Sequence, residues 1–127
     1  MTPTGRLAGK TILVVEDEYF IASDLKRALE KEDATVVGPA GNIGKGLSLL
    51  GGAPIDAAIL DVNLEGTTSY PIADRLGEQS VPYVFLTGYD GWALPDAYRD
   101  APRVAKPFSM RAVLACVEQL VGVEAEA

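Results

Sequence analysis

The chain has 127 residues, a formal net charge of −7, 48% hydrophobic residues, one cysteine and no histidine. That length suits a single domain, and the apolar content argues for a packed core rather than disorder. The acidic balance speaks against direct nucleic-acid binding, and the lack of histidine excludes a Ser-His-Asp triad and, with Cys116 alone, a zinc site of the usual kind.

No segment reaches the ~20 apolar residues of a membrane span. The start, Met-Thr-Pro-Thr-Gly-Arg, lacks the apolar stretch of a signal peptide. A soluble cytoplasmic protein with no membrane partner is the expectation. Residues 1–9, with Pro3, Gly5 and Gly9, read as a flexible leader before a domain over 10–122. Thr11 to Val15 is an apolar run without alternation, the pattern of a strand buried on both faces, and it runs into Glu16, Asp17 and Glu18. Phe20, Ile21, Leu25, Ala28 and Leu29 then recur at helical spacing among charged residues. Ala34 to Gly38 reads as a second strand, and Ile43, Leu47 and Leu50 as a second helix stopped by Gly51-Gly52. The glycine-rich stretch from Gly38 to Gly46 lacks the letters of a nucleotide-binding loop, since Pro39 and Gly46 fall at positions that need glycine and a hydroxyl. It reads as a helix start.

Ala57 to Leu60 forms a third buried strand leading into Asp61, and Val62 to Ser69 a polar loop. Pro71 suits the first turn of a helix carrying Ile72, Ala73 and Leu76. Pro82 to Leu86 is a fourth strand ending at Thr87-Gly88. Between Asp90 and Asp100, Pro95 interrupts a helical face of Trp92, Ala93, Ala97 and Tyr98, so a short or distorted helix is expected. Arg103 to Ala105 is a brief fifth strand. Ser109 caps a last helix with Met110, Val113, Leu114, Val117, Leu120 and Val121 on its buried stripe, followed by a short tail over 123–127. Five β-α repeats with short connections mean right-handed crossovers and an α/β, doubly wound parallel sheet covered on both faces.

The strand ends of such a sheet share one edge, where ligands bind. Glu16 and Asp17, Asp61, Thr87, and Lys106 followed by Pro107 fall there. Crowded carboxylates ask for a counter-ion, and Asp17 and Asp61 suit Mg²⁺ with waters and a carbonyl such as that of Asn63. Lys106 is a point charge for a carboxylate or phosphoryl oxygen, and Thr87 can donate one hydrogen bond. A site of this kind neutralises the anionic transition state of phosphoryl transfer. The bland reading makes Asp17 a helix cap, with Glu16 and Glu18 decorating the first turn.

Val14-Val-Glu-Asp17, Leu60-Asp-Val-Asn63, Leu86-Thr-Gly88 and Val104-Ala-Lys-Pro-Phe108, taken together, resemble the receiver domain of two-component response regulators, over about Lys10 to Val121. The resemblance implies a CheY-like, flavodoxin-like (βα)5 fold of five strands in the order 2-1-3-4-5. It implies Asp61 as phosphoacceptor, Mg²⁺ held by Asp17, Asp61, the Asn63 carbonyl and, through water, Glu16, and phosphate contacts from Thr87 and Lys106. It also implies a cis bond before Pro107. The donor would be a phosphohistidine on a sensor histidine kinase or phosphotransfer protein. The domain would catalyse its own phosphorylation and a slower hydrolysis, modulated at Asn63 and Tyr89, although Tyr89 could equally pack on the surface. Output would leave by the face of the fourth helix, fifth strand and fifth helix toward a protein partner.

Two departures stand out. Arg103 occupies the place of the aromatic ring that swings inward in the family, so its head is expected to stay at the surface, near Asp90, Asp96 or Asp100. Phe85-Leu-Thr-Gly-Tyr89 partly resembles the Phe-Ala-Thr-Gly signature of an alphaproteobacterial subgroup. With no output domain in the sequence, a stand-alone receiver is expected, although an excised domain would look the same. The alternatives are a pseudo-receiver acting only as an interaction module, against which the complete set Asp17, Asp61, Thr87 and Lys106 argues, and a Mg²⁺-dependent hydrolase, for whose substrate pocket and cap 127 residues leave little room.

Overall fold

The computed structural model describes residues 5–88 and 94–123. Tyr89 and Trp92 lie outside the described residues. Five parallel strands form the sheet: β1 (Thr11–Val15), β2 (Thr35–Ala40), β3 (Ala57–Asp61), β6 (Tyr83–Thr87) and β7 (Arg103–Ala105), in the order β2-β1-β3-β6-β7. Counted along the sheet this is the expected 2-1-3-4-5 arrangement. A flavodoxin-like, doubly wound fold follows, with its switch point between β1 and β3.

The central strands β1 and β3 are buried on both faces because their residues alternate between two apolar layers. Ile12, Val14, Ile59, Val84 and Leu86 pack on one side with Leu25 and Leu29 of α1 (Tyr19–Lys31) and Val113 and Val117 of α4 (Met110–Leu120). Leu13, Val15, Ala58, Leu60 and Phe85 pack on the other with Leu50 of α2 (Ile43–Leu50) and Ile72 and Leu76 of α3 (Tyr70–Glu78). Each such aliphatic side chain removed from water contributes about 1.5–3 kcal/mol.

Helix α2 begins as expected from the glycine-rich stretch: the Asn42 side chain accepts a hydrogen bond from the Lys45 amide at 2.8 Å. Ser109 likewise caps α4 by accepting from the Ala112 amide at 3.1 Å, and its apolar stripe faces the core as read.

Several local expectations change. Strand β2 continues through Gly38 and Pro39 to Ala40 instead of stopping at Gly38. A proline is tolerated there because β2 is an edge strand, and the ladder to β1 shifts register at this point. Gly38 has φ +97, and a Cβ there would meet the Val14 carbonyl oxygen at 2.7 Å, so glycine is required. The loop over 62–69 holds a small hairpin, β4 (Asn63–Leu64) with β5 (Thr67–Thr68). Its turn residues Glu65 and Gly66 both have positive φ, as a type I′ hairpin turn requires. In α1, Phe20 was counted with the buried face but is 74% exposed. Ala22, Leu25 and Leu29 set the helix phase, and Phe20 falls off that stripe.

Within the stretch read as a short or distorted helix, Pro95 precedes a single 3-10 turn, Asp96–Tyr98. Of residues 1–9, read as a flexible leader, the described ones form a turn that buries Leu7 completely. The Leu7 amide donates to the Glu32 carbonyl at 2.9 Å, and the Arg6 side chain pairs with Glu118 of α4. Among the described residues, no helix is long and apolar enough to cross a membrane.

Candidate functional site

Glu16, Asp17, Asp61, Thr87 and Lys106 all lie at the carboxyl edge of the sheet, and Asn63 begins the hairpin just beyond β3. Glu16 follows β1 directly, its amide donating to the Ala40 carbonyl at 2.9 Å, and only 2% of the residue is exposed. Asp61 ends β3 and is 6% exposed, and Thr87 ends β6 and is 4% exposed. Lys106 follows β7 and precedes a cis Lys106-Pro107 bond, the isomer that the family resemblance implies. Its amide donates to the Thr87 carbonyl at 2.7 Å, which extends the β6–β7 ladder into the site.

The Lys106 ammonium sits between two carboxylates, 3.1 Å from Asp61 Oδ2 and 3.1 Å from Glu16 Oε1. Asp61 Oδ1 accepts from the Asn63 amide at 3.2 Å. These contacts fix the Asp61 carboxylate from both sides. Asp17 is exposed, and its Oδ2 accepts from the Glu65 amide at 3.0 Å. That bond speaks against the helix-cap reading of Asp17. The N-cap position of α1 belongs to Glu18, which makes no side-chain cap, whereas Asp17 turns across the site to the hairpin.

Ligand oxygens of Glu16, Asp17 and Asp61 lie within 4.8 Å of one another, so the three can converge on one cation. The electrostatics fit that arrangement. Burial, then the hydrogen bond and charge of Asp61, push the Glu16 carboxyl up to about 8, with Lys106 partly offsetting them. Burial would lower the Lys106 ammonium, but hydrogen bonds and charges from Asp61 and Glu16 hold it above its ordinary value. The acidic oxygens gathered around the Lys106 ammonium outnumber its donors, and a hard cation would satisfy the acceptors left over. Thr87 Oγ1 is buried without a hydrogen-bond partner among the described residues. Such an orphan hydroxyl is costly unless something arrives to accept from it.

The structure therefore brings Glu16, Asp17, Asp61, Thr87 and Lys106 together, with Asn63 beside them at the start of β4. Sequence reasoning missed Glu65. Its φ of +50 is unusual for a residue with a side chain, and it aims the amide that holds Asp17. Val62 to Ser69 reads only as a polar loop, because a role carried by a main-chain amide leaves no mark in side-chain chemistry.

Arg103 keeps the surface position expected of it, half-buried, with its guanidinium donating to the Arg99 carbonyl. Arg99 in turn pairs with Asp96.

Comparison with known proteins agrees with this architecture. The solution structure of SdrG from Sphingomonas melonis Fr1 superposes with a TM-score of 0.78 at 39% identity, over 93% of this chain and 99% of that one. A BeF3-activated conformation of SdrG matches with a TM-score of 0.76 at 40% identity, over 90% of this chain and 98% of that one. Among curated proteins, the transcriptional regulatory protein TcrA of Mycobacterium tuberculosis is 34% identical over 128 aligned positions, 91% of this chain and 47% of that protein. PdtaR from the same organism is 29% identical over 116 positions, 88% of this chain and 57% of that protein. The chain thus spans about half the length of these curated relatives. The sequence model of the response regulator receiver domain matches residues 12–118. Five parallel strands in this order, an acidic cluster at their carboxyl edge and that match give one conclusion: the chain belongs to the response regulator receiver domain family.

Proposed function

We propose that this receiver accepts a phosphoryl group onto Asp61 from a phosphohistidine donor, a sensor histidine kinase or a histidine phosphotransfer protein. The observation that carries the assignment is the Asp61 carboxylate, held at one oxygen by the Asn63 amide and at the other by Lys106. A carboxylate so fixed is an ionised nucleophile held in one orientation. One of its oxygens attacks phosphorus, the phosphorus–nitrogen bond breaks, and the donor imidazole leaves with the electron pair. Lys106, freed from part of its pairing as the Asp61 charge moves onto the phosphoryl group, follows that charge. Thr87 donates its unpartnered hydroxyl to a phosphoryl oxygen.

Asp17, Asp61 and the Asn63 carbonyl would hold Mg²⁺, with Glu16 acting through water, and the ion would offset repulsion between the approaching anions. The convergence of three carboxylates supports this choice of a hard, oxygen-seeking cation. Within the family, the subgroup with a Phe-Ala-Thr-Gly signature fits best. Phe85-Leu-Thr-Gly-Tyr89 and Arg103 in place of an aromatic support it. Residues 10–122 would form the receiver, acting in the cytoplasm, with output toward a protein partner through the face made by the segment before β7, β7 itself and α4.

The test is intact mass after incubation with acetyl phosphate and Mg²⁺. One added phosphoryl group is expected in the wild type and none in Asp61→Asn. An adduct that persists in Asp61→Asn at full yield would overturn the assignment.

A further inference from the structure

With Arg103 where relatives in the family carry a mobile ring, the movement of Thr87 needs another mechanical partner. The structure holds one on the same face of the sheet. Phe85 and Thr87 are two residues apart in β6, so both side chains project to the side covered by α3. Two rings converge on Phe85. Tyr70, at the start of α3, meets it edge-on at 6.0 Å, and Tyr98, at the end of the 3-10 turn, meets it edge-on at 5.9 Å. Tyr70 and Tyr98 stack on each other, with centroids 4.5 Å apart and planes 14° apart.

The Tyr98 hydroxyl donates to Asp74 Oδ1, one helical turn beyond Tyr70, at 2.6 Å. Burial and this bond push the Tyr98 phenol up to about 12, so the hydroxyl remains a donor throughout the physiological range. The turn bearing Tyr98 is also wired to the strand ends. Arg103 in β7 donates to the carbonyl of Arg99, the residue after Tyr98. The Ala101 amide donates to the Tyr98 carbonyl at 3.1 Å, and the Phe85 amide to the Pro102 carbonyl at 2.9 Å. Tyr98 is therefore the aromatic anchor of the 94–102 segment on α3, and Phe85 is the plate beneath it.

We propose that Tyr98 is a latch: it is seated on Tyr70 and Asp74 while Thr87 is disengaged, and it unseats when Thr87 engages an anion held at Asp61. The proposal rests on the receiver reading above and adds to it the element that changes state. Drawing the Thr87 hydroxyl toward the site tilts the end of β6, and with it the Phe85 ring on which both tyrosines lean. The ladder from Thr87 through Lys106 and Arg103 carries the same displacement to the Arg99 carbonyl. Close-packed rings do not deform gradually, so the stack holds or opens. Opening releases the 94–102 segment that leads into β7, on the face through which output is proposed to leave.

Linkage gives the test. If engagement at Thr87 requires the latch to open, loosening the latch beforehand must tighten anion binding at Asp61. The probe is beryllofluoride with Mg²⁺, whose dissociation constant is measured for the wild type, Tyr98→Phe, Tyr98→Ala and Asp74→Ala. Tyr98→Ala is expected to tighten binding about three- to tenfold, the range typical of coupling between sites. Tyr98→Phe and Asp74→Ala, which keep the stack and lose the hydrogen bond, should tighten it less. Hydrogen exchange at the Ala101 amide should quicken in the wild type once beryllofluoride binds, and in Tyr98→Ala without it. Dissociation constants indifferent to all three substitutions, or weakened by them, overturn the latch and leave the receiver reading standing. A wild-type protein that binds no beryllofluoride overturns both.

Discussion

At the residue scale, the three carboxylates of the site differ in what they cost. Glu16 and Asp61 are buried and lean on one ammonium, whereas Asp17 faces water and, among the described residues, accepts from the Glu65 amide. An exposed carboxylate is a cheap way to add negative charge to a cation site, because it need not be desolvated in the resting protein. Asp17→Asn is therefore expected to raise the Mg²⁺ dissociation constant by roughly tenfold or more while leaving the metal-free fold intact or slightly stabilised. Calorimetric titration with Mg²⁺ and thermal melts in chelator would read the two effects. Unchanged affinity would remove Asp17 from the ligand set. Glu16 and Asp61 were legible in the sequence because each is the first polar residue of an apolar strand's carboxyl end, and Asp17 because it follows Glu16 directly. Glu65 was not, since what it contributes is the direction of a main-chain N–H.

At the scale of elements, apolar runs located all five sheet strands, and helical spacing located α1, α2, α3 and α4. What escaped were features that depend on tertiary context. Phe20 matches the apolar alphabet of α1, yet the phase fixed by Leu25 and Leu29 leaves it, with its edge-on neighbour Tyr19, in solvent. Leu7 is the opposite case. One leucine among Pro3, Gly5 and Gly9 has no periodicity to announce it, but it fills the layer beneath α1 and α4. Leu7→Ala should cost about 2–5 kcal/mol of stability, as other fully buried leucines do. Urea denaturation would measure this, and a loss within a few tenths would mean that the 5–9 turn does not seal the core.

At the scale of the whole molecule, the site sets how stability depends on pH. The Glu16 carboxyl moves from an ordinary 4.5 to about 8 in the folded protein, through burial first and the neighbouring Asp61 second. The folded state therefore holds this proton more tightly than the unfolded chain does. The resulting stability is fully present below about pH 4.5 and is lost as pH rises through about 8. In chelator, the melting temperature should fall across that window, and Glu16→Gln, which carries no charge to desolvate, should flatten the slope. A wild-type profile with no fall over that interval would contradict the account.

The pairing of Lys106 with Glu16 and Asp61 also bears on how the chain comes into being. Translation delivers both acids long before it delivers residue 106. A nascent chain that has emerged only as far as β6 could bury these two acids only without their fixed counter-charge, at a cost of several kcal/mol for an unpaired ion. Closure of the sheet by β7 and neutralisation of the acidic pair are then one event. The residues that prepare the domain for chemistry also certify that its synthesis has reached the end of the fold.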